Sequence, residues 1–336
     1  MAAEQTVLPR WRGFNLLGLF SEGQEGRFPE DDFRWIADWG FDFVRLPMMY
    51  TLWVDGDPFT LKEEVLARID EAVAFGRKHG IHVCLNLHTA PGYRVSATWQ
   101  DPFGLNLWKN DRALEAFCFH WRMFAERYKG IASDRLSFNL VNEPAAPVDD
   151  PADGMTRADH ARVMRATTAA VREVDPDRLI IIDGVSWGNA CSPDLADLGA
   201  AQSCRGYKPM AISHHAAPWS NCEGYGEPVW PGCESRGRTW DREALKAFYG
   251  PWIDLARQGV GVHCGEGGAY NRTPHDVVLR WFRDVLEVLT AANIGYALWN
   301  FRGPFGILDS GRDDVAYEDH HGRLLDRGLL ALLQEF

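Results

Sequence analysis

Long apolar runs, a secretion signal and excess positive charge are all missing from this chain of 336 residues. No stretch reaches the roughly 18 consecutive apolar residues that a membrane-spanning helix needs, so the sequence does not predict a membrane protein. The first residues, MAAEQTVLPRWRG, have neither the basic nor the apolar segment of a secretory signal. We therefore expect a cytoplasmic protein, or a secreted one whose leader has been removed.

The chain has fewer positively charged than negatively charged residues. The chain carries 35 Lys and Arg residues against 47 Asp and Glu residues, a formal net charge of −12. A surface of this sign repels nucleic acids and anionic lipids, so we expect no nucleic acid and no membrane as a partner. The oligomeric state is left open.

The seven cysteines do not show the close spacing of a zinc site. Cys84, Cys118 and Cys264 lie in apolar contexts that are typical of small buried residues. Cys222 and Cys233 lie in loop-like sequence and could pair in an oxidising compartment. The sequence leaves this pairing open.

Apolar runs and amphipathic segments alternate along the chain, with no internal repeat, low-complexity tract or linker. The runs read apolar throughout, as strands do when both faces are buried. The predicted strands are Gly13–Leu19, Asp42–Pro47, His82–His88, Ser137–Glu143, Leu179–Gly184, Ala211–His215, Gly261–Glu266 and Ile294–Asn300. The predicted helices are Asp31–Trp39, Lys62–His79, Arg112–Tyr128, Arg157–Val174, a weakly marked one near Pro193–Ala200, Arg242–Arg257, Pro274–Ala292 and Arg323–Phe336.

Eight strand–helix alternations predict an α/β fold, a single (β/α)8 TIM barrel over residues 1–336. No glycine-rich phosphate turn follows the first strand, so a dinucleotide-binding fold lacks its signature. In a barrel of this kind, functional side chains lie at the C-terminal ends of the strands. The residues predicted there are Arg45, His88, Asn142, Glu143, Asp183, Trp187, His214, His215, Glu266 and Trp299.

Two of these residues, Glu143 and Glu266, are carboxylates on strands that face each other across the mouth of the barrel. Retaining glycosidases use two carboxyl groups about 5–5.5 Å apart, one as nucleophile and one as acid/base. Inverting enzymes separate the two groups by about 6.5–9.5 Å to hold a water molecule. A carboxylate pair at this end of a barrel therefore points to glycoside hydrolysis.

Several segments resemble glycoside hydrolase family 5, the cellulase-like family within the clan of retaining (β/α)8 glycosidases. NLVNEP on the fourth strand and GVHCGEGGAY on the seventh resemble its two catalytic segments. Further matches, in order along the chain, are FVRLPM, NLHTAPGY, DGVSWG and ALWNFRG. The resemblance spans nearly the whole chain, and it implies hydrolysis of β-linked glucan or related oligosaccharides by double displacement, with β-1,4- or mixed-linkage glucan favoured and with no cofactor or metal.

The resemblance also implies roles for individual residues. Glu143 would be the acid/base and Glu266 the nucleophile, while Asn142 would hold the sugar 2-hydroxyl and Arg45 would keep Glu266 ionised. The supporting residues would be His88 and His214, which would bind sugar hydroxyls and brace the glutamates, and Trp299, on which the reacting sugar would stack. Trp187 is a further candidate for substrate binding.

One segment departs from the family pattern. The sixth strand usually carries a tyrosine two residues after a histidine, where the hydroxyl donates to the nucleophile. Counted from His214, that place is held by Ala216. We therefore expect His215 or Tyr270 to supply a donor, or the nucleophile to lie in a less usual environment.

Other functions remain open at this point. A β-mannanase or β-mannosidase of the same family would share these residues, and neither the polysaccharide nor endo or exo action can be read from the chain. A metal-dependent hydrolase on the same barrel is a second alternative, although adjacent His214 and His215 would point to opposite faces of a strand. A non-catalytic carbohydrate-binding barrel is a third, and the pair of glutamates argues against it.

Overall fold

Eight parallel strands form a closed barrel in the computed structural model, which describes residues 8–23, 26–96, 98–152 and 154–336. The strands are β1 (Arg12–Asn15), β2 (Phe43–Met49), β3 (His82–Ala90), β4 (Leu136–Asn139), β5 (Leu179–Asp183), β6 (Ala201–Gly206), β7 (Val262–Gly267) and β8 (Gly295–Leu298). Each strand pairs with its neighbours in chain order, and β1 pairs with β8 to close the ring. The predicted (β/α)8 TIM barrel is confirmed.

Helices surround the barrel and follow the predicted bounds closely. They are α1 (Glu30–Asp38), α2 (Glu63–His79), α3 (Asp111–Arg127), α4 (Arg157–Val174), α5 (Arg242–Arg257), α6 (His275–Ala291) and α7 (Arg327–Gln334). The weak segment after β5 forms a 3-10 helix, Pro193–Leu198. Local side-chain contacts fix where a helix begins. Thr156 and Asp159, for example, form a reciprocal capping box at the start of α4. The last predicted helix starts later because a hairpin, Glu318–His320 with Arg323–Leu325, precedes it.

The predicted position of the sixth strand is wrong. Ala211–His215 was expected there, but that segment includes the short helix Met210–Ser213, and the strand is Ala201–Gly206. The strand, AQSCRG, is fully buried although half of it is polar, because Gln202, Ser203 and Arg205 find hydrogen-bond partners inside the fold. Apolar periodicity therefore pointed to the wrong segment.

Apolar side chains fill the space between the barrel and its helices, and tryptophan supplies several of the largest. Trp53, Trp121, Trp252 and Trp281 are fully buried. Part of the high tryptophan content thus serves packing. All seven cysteines are free, so Cys222, which is exposed, and Cys233, which is buried, are not joined. Among the described residues, no helix has the length and apolar character needed to cross a bilayer.

We expect Gly13→Ala to destabilise the barrel, because β1 and β2 lie unusually close at this point. A Cβ atom at Gly13 would lie 1.7 Å from the carbonyl oxygen of Phe43, with which it pairs in register. The free energy of unfolding should fall by about 3 kcal/mol or more. Gly154→Ala is the control, since its Cβ would meet Val148 at 3.6 Å, and it should change stability by less than about 0.5 kcal/mol. Denaturant unfolding of both variants measures this; equal stabilities would contradict the close approach.

Candidate active site

Charged and polar side chains meet at the C-terminal mouth of the barrel. They are Arg45 from β2, Asn142 and Glu143 after β4, Asp183 from β5, Arg205 from β6 and Glu266 from β7. Five of them are almost fully buried, and the side chain of Glu143 is 15% exposed. Charges removed from water in this way are stable only when they are paired and hydrogen-bonded.

Glu266 lies at the centre of this group and is held by two hydrogen bonds and a further ion pair. Arg45 Nη1 lies 2.6 Å from Oε1, the hydroxyl of Tyr207 donates to Oε2 at 3.0 Å, and Arg205 Nη2 lies 3.4 Å from Oε1. The register of β7 shifts between Cys264 and Glu266, as at a β-bulge, which often redirects a side chain at a functional site. Two guanidinium groups and a hydroxyl thus surround the carboxyl group of Glu266.

The hydroxyl donor to Glu266 is a residue that the sequence analysis did not identify. Tyr207 follows β6 directly and lies two residues after Arg205, so neither Ala216 nor the expected substitutes His215 and Tyr270 are at this position. Burial, and then the charge of Glu266, raise the pKa of Tyr207 well above its usual range. The hydroxyl therefore keeps its proton and acts as a donor.

Glu143 lies just beyond the end of β4, in a backbone conformation that few residues other than glycine adopt. Its φ is 47°, and strain of this kind costs about 1–3 kcal/mol. Two hydrogen bonds hold the backbone: the Glu143 N–H donates to Asp183 Oδ2 at 2.9 Å, and the Tyr93 hydroxyl donates to its carbonyl oxygen at 2.7 Å. The side chain accepts from Arg205 Nε at 2.7 Å. The strained backbone fixes the direction in which the carboxyl group points.

The pKa of Glu143 is raised to about 7, first by burial and then by the charge of Glu266. Arg205 opposes both effects without cancelling them. Asp183 differs: burial would raise its pKa, but the guanidinium groups of Arg205 and Arg45 outweigh that effect and hold it below the usual range. The group therefore contains one carboxyl that is partly protonated near neutral pH, Glu143, beside one that is stabilised as an anion, Asp183.

Asn142 connects the two sides of the group. Its Oδ1 accepts from Arg45 Nη2 at 2.8 Å and from Arg205 Nη2 at 3.0 Å. Its amide nitrogen lies 3.4 Å from His88 Nε2. Burial, and then the charge of Arg45, hold the pKa of His88 well below its usual value, so the ring is neutral. His88 Nδ1 is buried without a hydrogen-bond partner among the described residues.

Aromatic side chains border the carboxylates. Trp299 stacks on His88 with ring centres 5.5 Å apart, and Phe20 packs edge-on against both rings. Trp219 is 61% exposed, and Trp187 is 48% exposed. Large exposed aromatic rings beside a polar site are typical of sugar-binding surfaces, since one face is apolar and costs energy to leave in water.

Trp187 is held in place by its backbone. Both Ser186 and Trp187 have left-handed conformations, with φ values of 56° and 59°. The N–H groups of these two residues donate to the carbonyl oxygens of Ala145, at 3.2 Å, and Pro144, at 2.9 Å. The turn after β5 is therefore joined to the segment that carries Glu143.

His214 does not brace either glutamate among the contacts of the described residues. Its Nδ1 lies 2.8 Å from the Ser213 hydroxyl, and its ring packs edge-on against Tyr207 at 5.1 Å. Burial, and then the charge of Lys208, lower its pKa to about 4. His215 is half-buried beside it, and Tyr270 packs against Trp219 at 4.9 Å. Of these three residues, only His214 packs against Tyr207 in the ring contacts of the described residues.

The structure thus brings Glu143, Glu266, Arg45, Asn142 and His88 together, with Trp299 beside them, as the sequence predicted. Arg205 and Tyr207 were missed because the sixth strand was placed too far along the chain, and Asp183 was noted only as a strand end. The available signal was an arginine and a tyrosine two residues apart at the end of a short buried run. Within the described residues, no three His, Cys, Asp or Glu side chains form a metal-ligand group.

Comparison with known proteins agrees with this geometry. A model of the cellulase family, glycosyl hydrolase family 5, matches residues 2–303. Endoglucanase C of Acetivibrio thermocellus is 28% identical over 91% of this chain and 95% of its own length. Cellodextrinase A of Ruminococcus flavefaciens is 26% identical over 84% of this chain and 83% of its own length. A crystal structure of a glycoside hydrolase superposes with a TM-score of 0.90 at 42% identity, covering 97% of this chain and 99% of that one.

We expect Glu266→Gln to lower the pKa of Glu143 below its value of about 7, because the substitution removes a neighbouring negative charge. The measurement is a 13C NMR titration of carboxyl-labelled glutamate, with the resonance of Glu143 assigned from its loss in Glu143→Gln. Glu64→Gln, on the exposed face of α2, is the control and should leave the titration unchanged. An unchanged pKa in Glu266→Gln would show that the two carboxyl groups are not coupled.

Proposed function

The chain belongs to glycosyl hydrolase family 5, and from this premise we propose that it cleaves β-linked glucan or its oligosaccharides, with Glu266 as nucleophile and Glu143 as acid/base. The two roles are assigned from the different surroundings of the two carboxyl groups. Glu143 has a pKa of about 7, while Glu266 accepts from Arg45 and Tyr207. A proton donor and an anion are thus available side by side near neutral pH.

The first step forms a covalent intermediate. A carboxylate oxygen of Glu266 attacks the anomeric carbon, while Glu143 gives its proton to the glycosidic oxygen and the bond to the leaving group breaks. Arg205 contacts both glutamates, so it links the two carboxyl groups across the mouth. Both groups can therefore act on one anomeric carbon.

The second step releases the sugar with its original configuration. Glu143, now ionised, takes a proton from water, whose oxygen attacks the anomeric carbon. The ester bond to Glu266 breaks, and the electron pair returns to its carboxylate. Asn142 would hold the 2-hydroxyl, His88 would bind a further hydroxyl, and the reacting sugar would stack on Trp299.

Two observations support a β-glucan substrate. The relatives that align over most of their length are named as an endoglucanase and a cellodextrinase. The exposed rings of Trp187 and Trp219 provide apolar faces outside the carboxylate pair, as a chain of several sugars needs. We propose β-1,4- or mixed-linkage glucan as the preferred class.

The roles of the two glutamates are tested by chemical rescue. Glu143→Gln and Glu266→Gln should each lower turnover of an unactivated β-glucoside by about 10²–10⁴-fold or more, because each removes a group that forms or breaks a bond. With an activated aryl glycoside, azide should rescue Glu266→Gly with an inverted product and Glu143→Ala with a retained product. Product configuration is read by NMR. Exchanged outcomes would reverse the assignment, and near-full activity in either Gln variant would reject it.

The substrate class is tested with polymers of defined linkage. We expect β-1,4-glucan and mixed-linkage β-glucan to be hydrolysed faster than β-mannan, with product sizes followed by chromatography over time. Trp187→Ala should raise KM for long oligosaccharides more than it lowers kcat, because it removes a binding surface and no reacting group. Short aryl glycosides are the control and should be little affected. Faster hydrolysis of mannan would identify a mannanase instead.

A further inference from the structure

The charges at the mouth balance in a way that depends on the protonation of Glu143. Three carboxyl groups, those of Glu143, Asp183 and Glu266, lie against two guanidinium groups, those of Arg45 and Arg205. When Glu143 is protonated, two anions face two cations and the buried group is neutral. Ionisation of Glu143 in the free enzyme adds an uncompensated negative charge, which is costly in a site shielded from water.

The balance shifts once the nucleophile is esterified, as it is in the proposed function on which this inference rests. Glu266 then carries no charge, and the group contains Asp183 with the same two guanidinium groups. Neutrality now requires an ionised Glu143. The group is therefore neutral in both halves of the reaction if Glu143 changes its charge in the opposite sense to Glu266.

The two arginines divide their contacts between the glutamates. Arg45 Nη1 lies 2.6 Å from Glu266, and the structure shows no hydrogen bond or ion pair from Arg45 to Glu143 among the described residues. Arg205 contacts both glutamates and lies closer to Glu143, with Nε at 2.7 Å from Glu143 and Nη2 at 3.4 Å from Glu266. Of the two glutamates, Arg45 thus contacts only the nucleophile, while the shorter contact of Arg205 is to the acid/base.

Arg205 is held so that it cannot follow Glu143 if that side chain moves. Its Nη2 donates to Asp183 and, at 3.0 Å, to Asn142, while its Nη1 donates to the Ser203 hydroxyl at 3.0 Å. Asp183 is completely buried and also accepts from the backbone N–H of Glu143. Asp183 therefore positions both the guanidinium group of Arg205 and the backbone of Glu143, which that group contacts.

We propose that Arg205, clamped by Asp183, is a positioning residue for the second half of the reaction, where it stabilises ionised Glu143 so that Glu143 can accept the proton of the attacking water. The water oxygen forms the new bond to the anomeric carbon, and the ester electron pair returns to Glu266. A permanently charged guanidinium group suits this task. The histidine usual at this place, two residues before the tyrosine, can lose its charge near neutral pH, whereas a guanidinium group keeps it.

The test uses an aryl β-cellobioside with a 2,4-dinitrophenolate leaving group, which departs without help from an acid. Its first step does not need Glu143, so removal of Arg205 should affect mainly the second step. In Arg205→Gln we expect kcat to fall by about 10²-fold, with KM falling nearly as much and kcat/KM staying within about tenfold of its normal value. A burst of one dinitrophenolate per active site should appear, because the glycosyl-enzyme accumulates.

A merely structural arginine would give a different pattern. If kcat and kcat/KM fall together and no burst appears, the proposal is wrong. Arg178→Gln is the matched control: Arg178 is equally buried and paired with Asp175, but its other donors reach backbone carbonyls such as that of Leu136, at the start of β4. It should lower stability without producing a burst.

Two further variants keep the proposal testable if Arg205→Gln does not fold. Arg205→Lys retains the positive charge and should recover part of kcat, and Asp183→Asn should give a smaller burst of the same kind because it loosens the clamp. A burst in Arg205→Lys as large as that expected for complete loss of the charge would also count against the proposal, as would full activity in Asp183→Asn.

A double variant separates this inference from the proposed function. In Glu143→Ala, whose second step is carried by azide, the added Arg205→Gln should leave the azide-rescued kcat within about threefold, since its target is gone. A large further loss would reject the role of Arg205 and leave Glu143 as acid/base. Absence of any effect of Glu143→Ala on unactivated glycosides would instead reject the proposed function itself.

Discussion

Two buried guanidinium groups hold the mouth of this barrel together. Arg45 and Arg205 are each only 1% exposed, and between them they bind Glu143, Asp183, Glu266 and Asn142. Neither the carboxylates nor the arginines could be buried alone, because each isolated charge would cost several kcal/mol. The close spacing of like-charged carboxyl groups, which a double-displacement reaction requires, is therefore possible only because the cations lie between them.

The barrel supplies the geometry for this arrangement. Parallel strands bring their C-terminal ends to one rim, so residues from β2, β4, β5, β6 and β7 meet although up to 221 positions separate them in the chain. Close approach between strands, as at Gly13 and Phe43, keeps the ring narrow. The irregular features lie at the rim: the register shift in β7 and the strained backbone of Glu143 both direct a carboxyl group. The regular packing of the barrel strands thus holds the irregular backbone at the rim in place.

How much of this could be predicted depended on whether the signal was local. Helix α4 has a capping box and α5 a clear apolar stripe, and both were predicted with the observed bounds because propensity and periodicity act over a few residues. The strand β6 was missed because its buried polar residues are satisfied only by distant partners: Arg205 binds Glu143, 62 positions away. A single sequence contains no record of such a pairing. His214 was predicted to brace the glutamates because a histidine beside an apolar run is a local signal that matches the end of a sixth strand. The strand lies earlier in the chain, at Ala201–Gly206, and His214 contacts Ser213 and Tyr207 instead.

The left-handed turn at Ser186 and Trp187 has a consequence for how the enzyme reads a polymer. Its backbone is bonded to Pro144 and Ala145, directly after Glu143, so the exposed indole and the acid/base are parts of one rigid unit. A sugar ring that stacks on this indole would be held at a constant distance from the glycosidic bond that is cleaved. The position of cleavage along a chain would then depend on two backbone hydrogen bonds, and a change of loop length on either side would move the indole and the acid/base together.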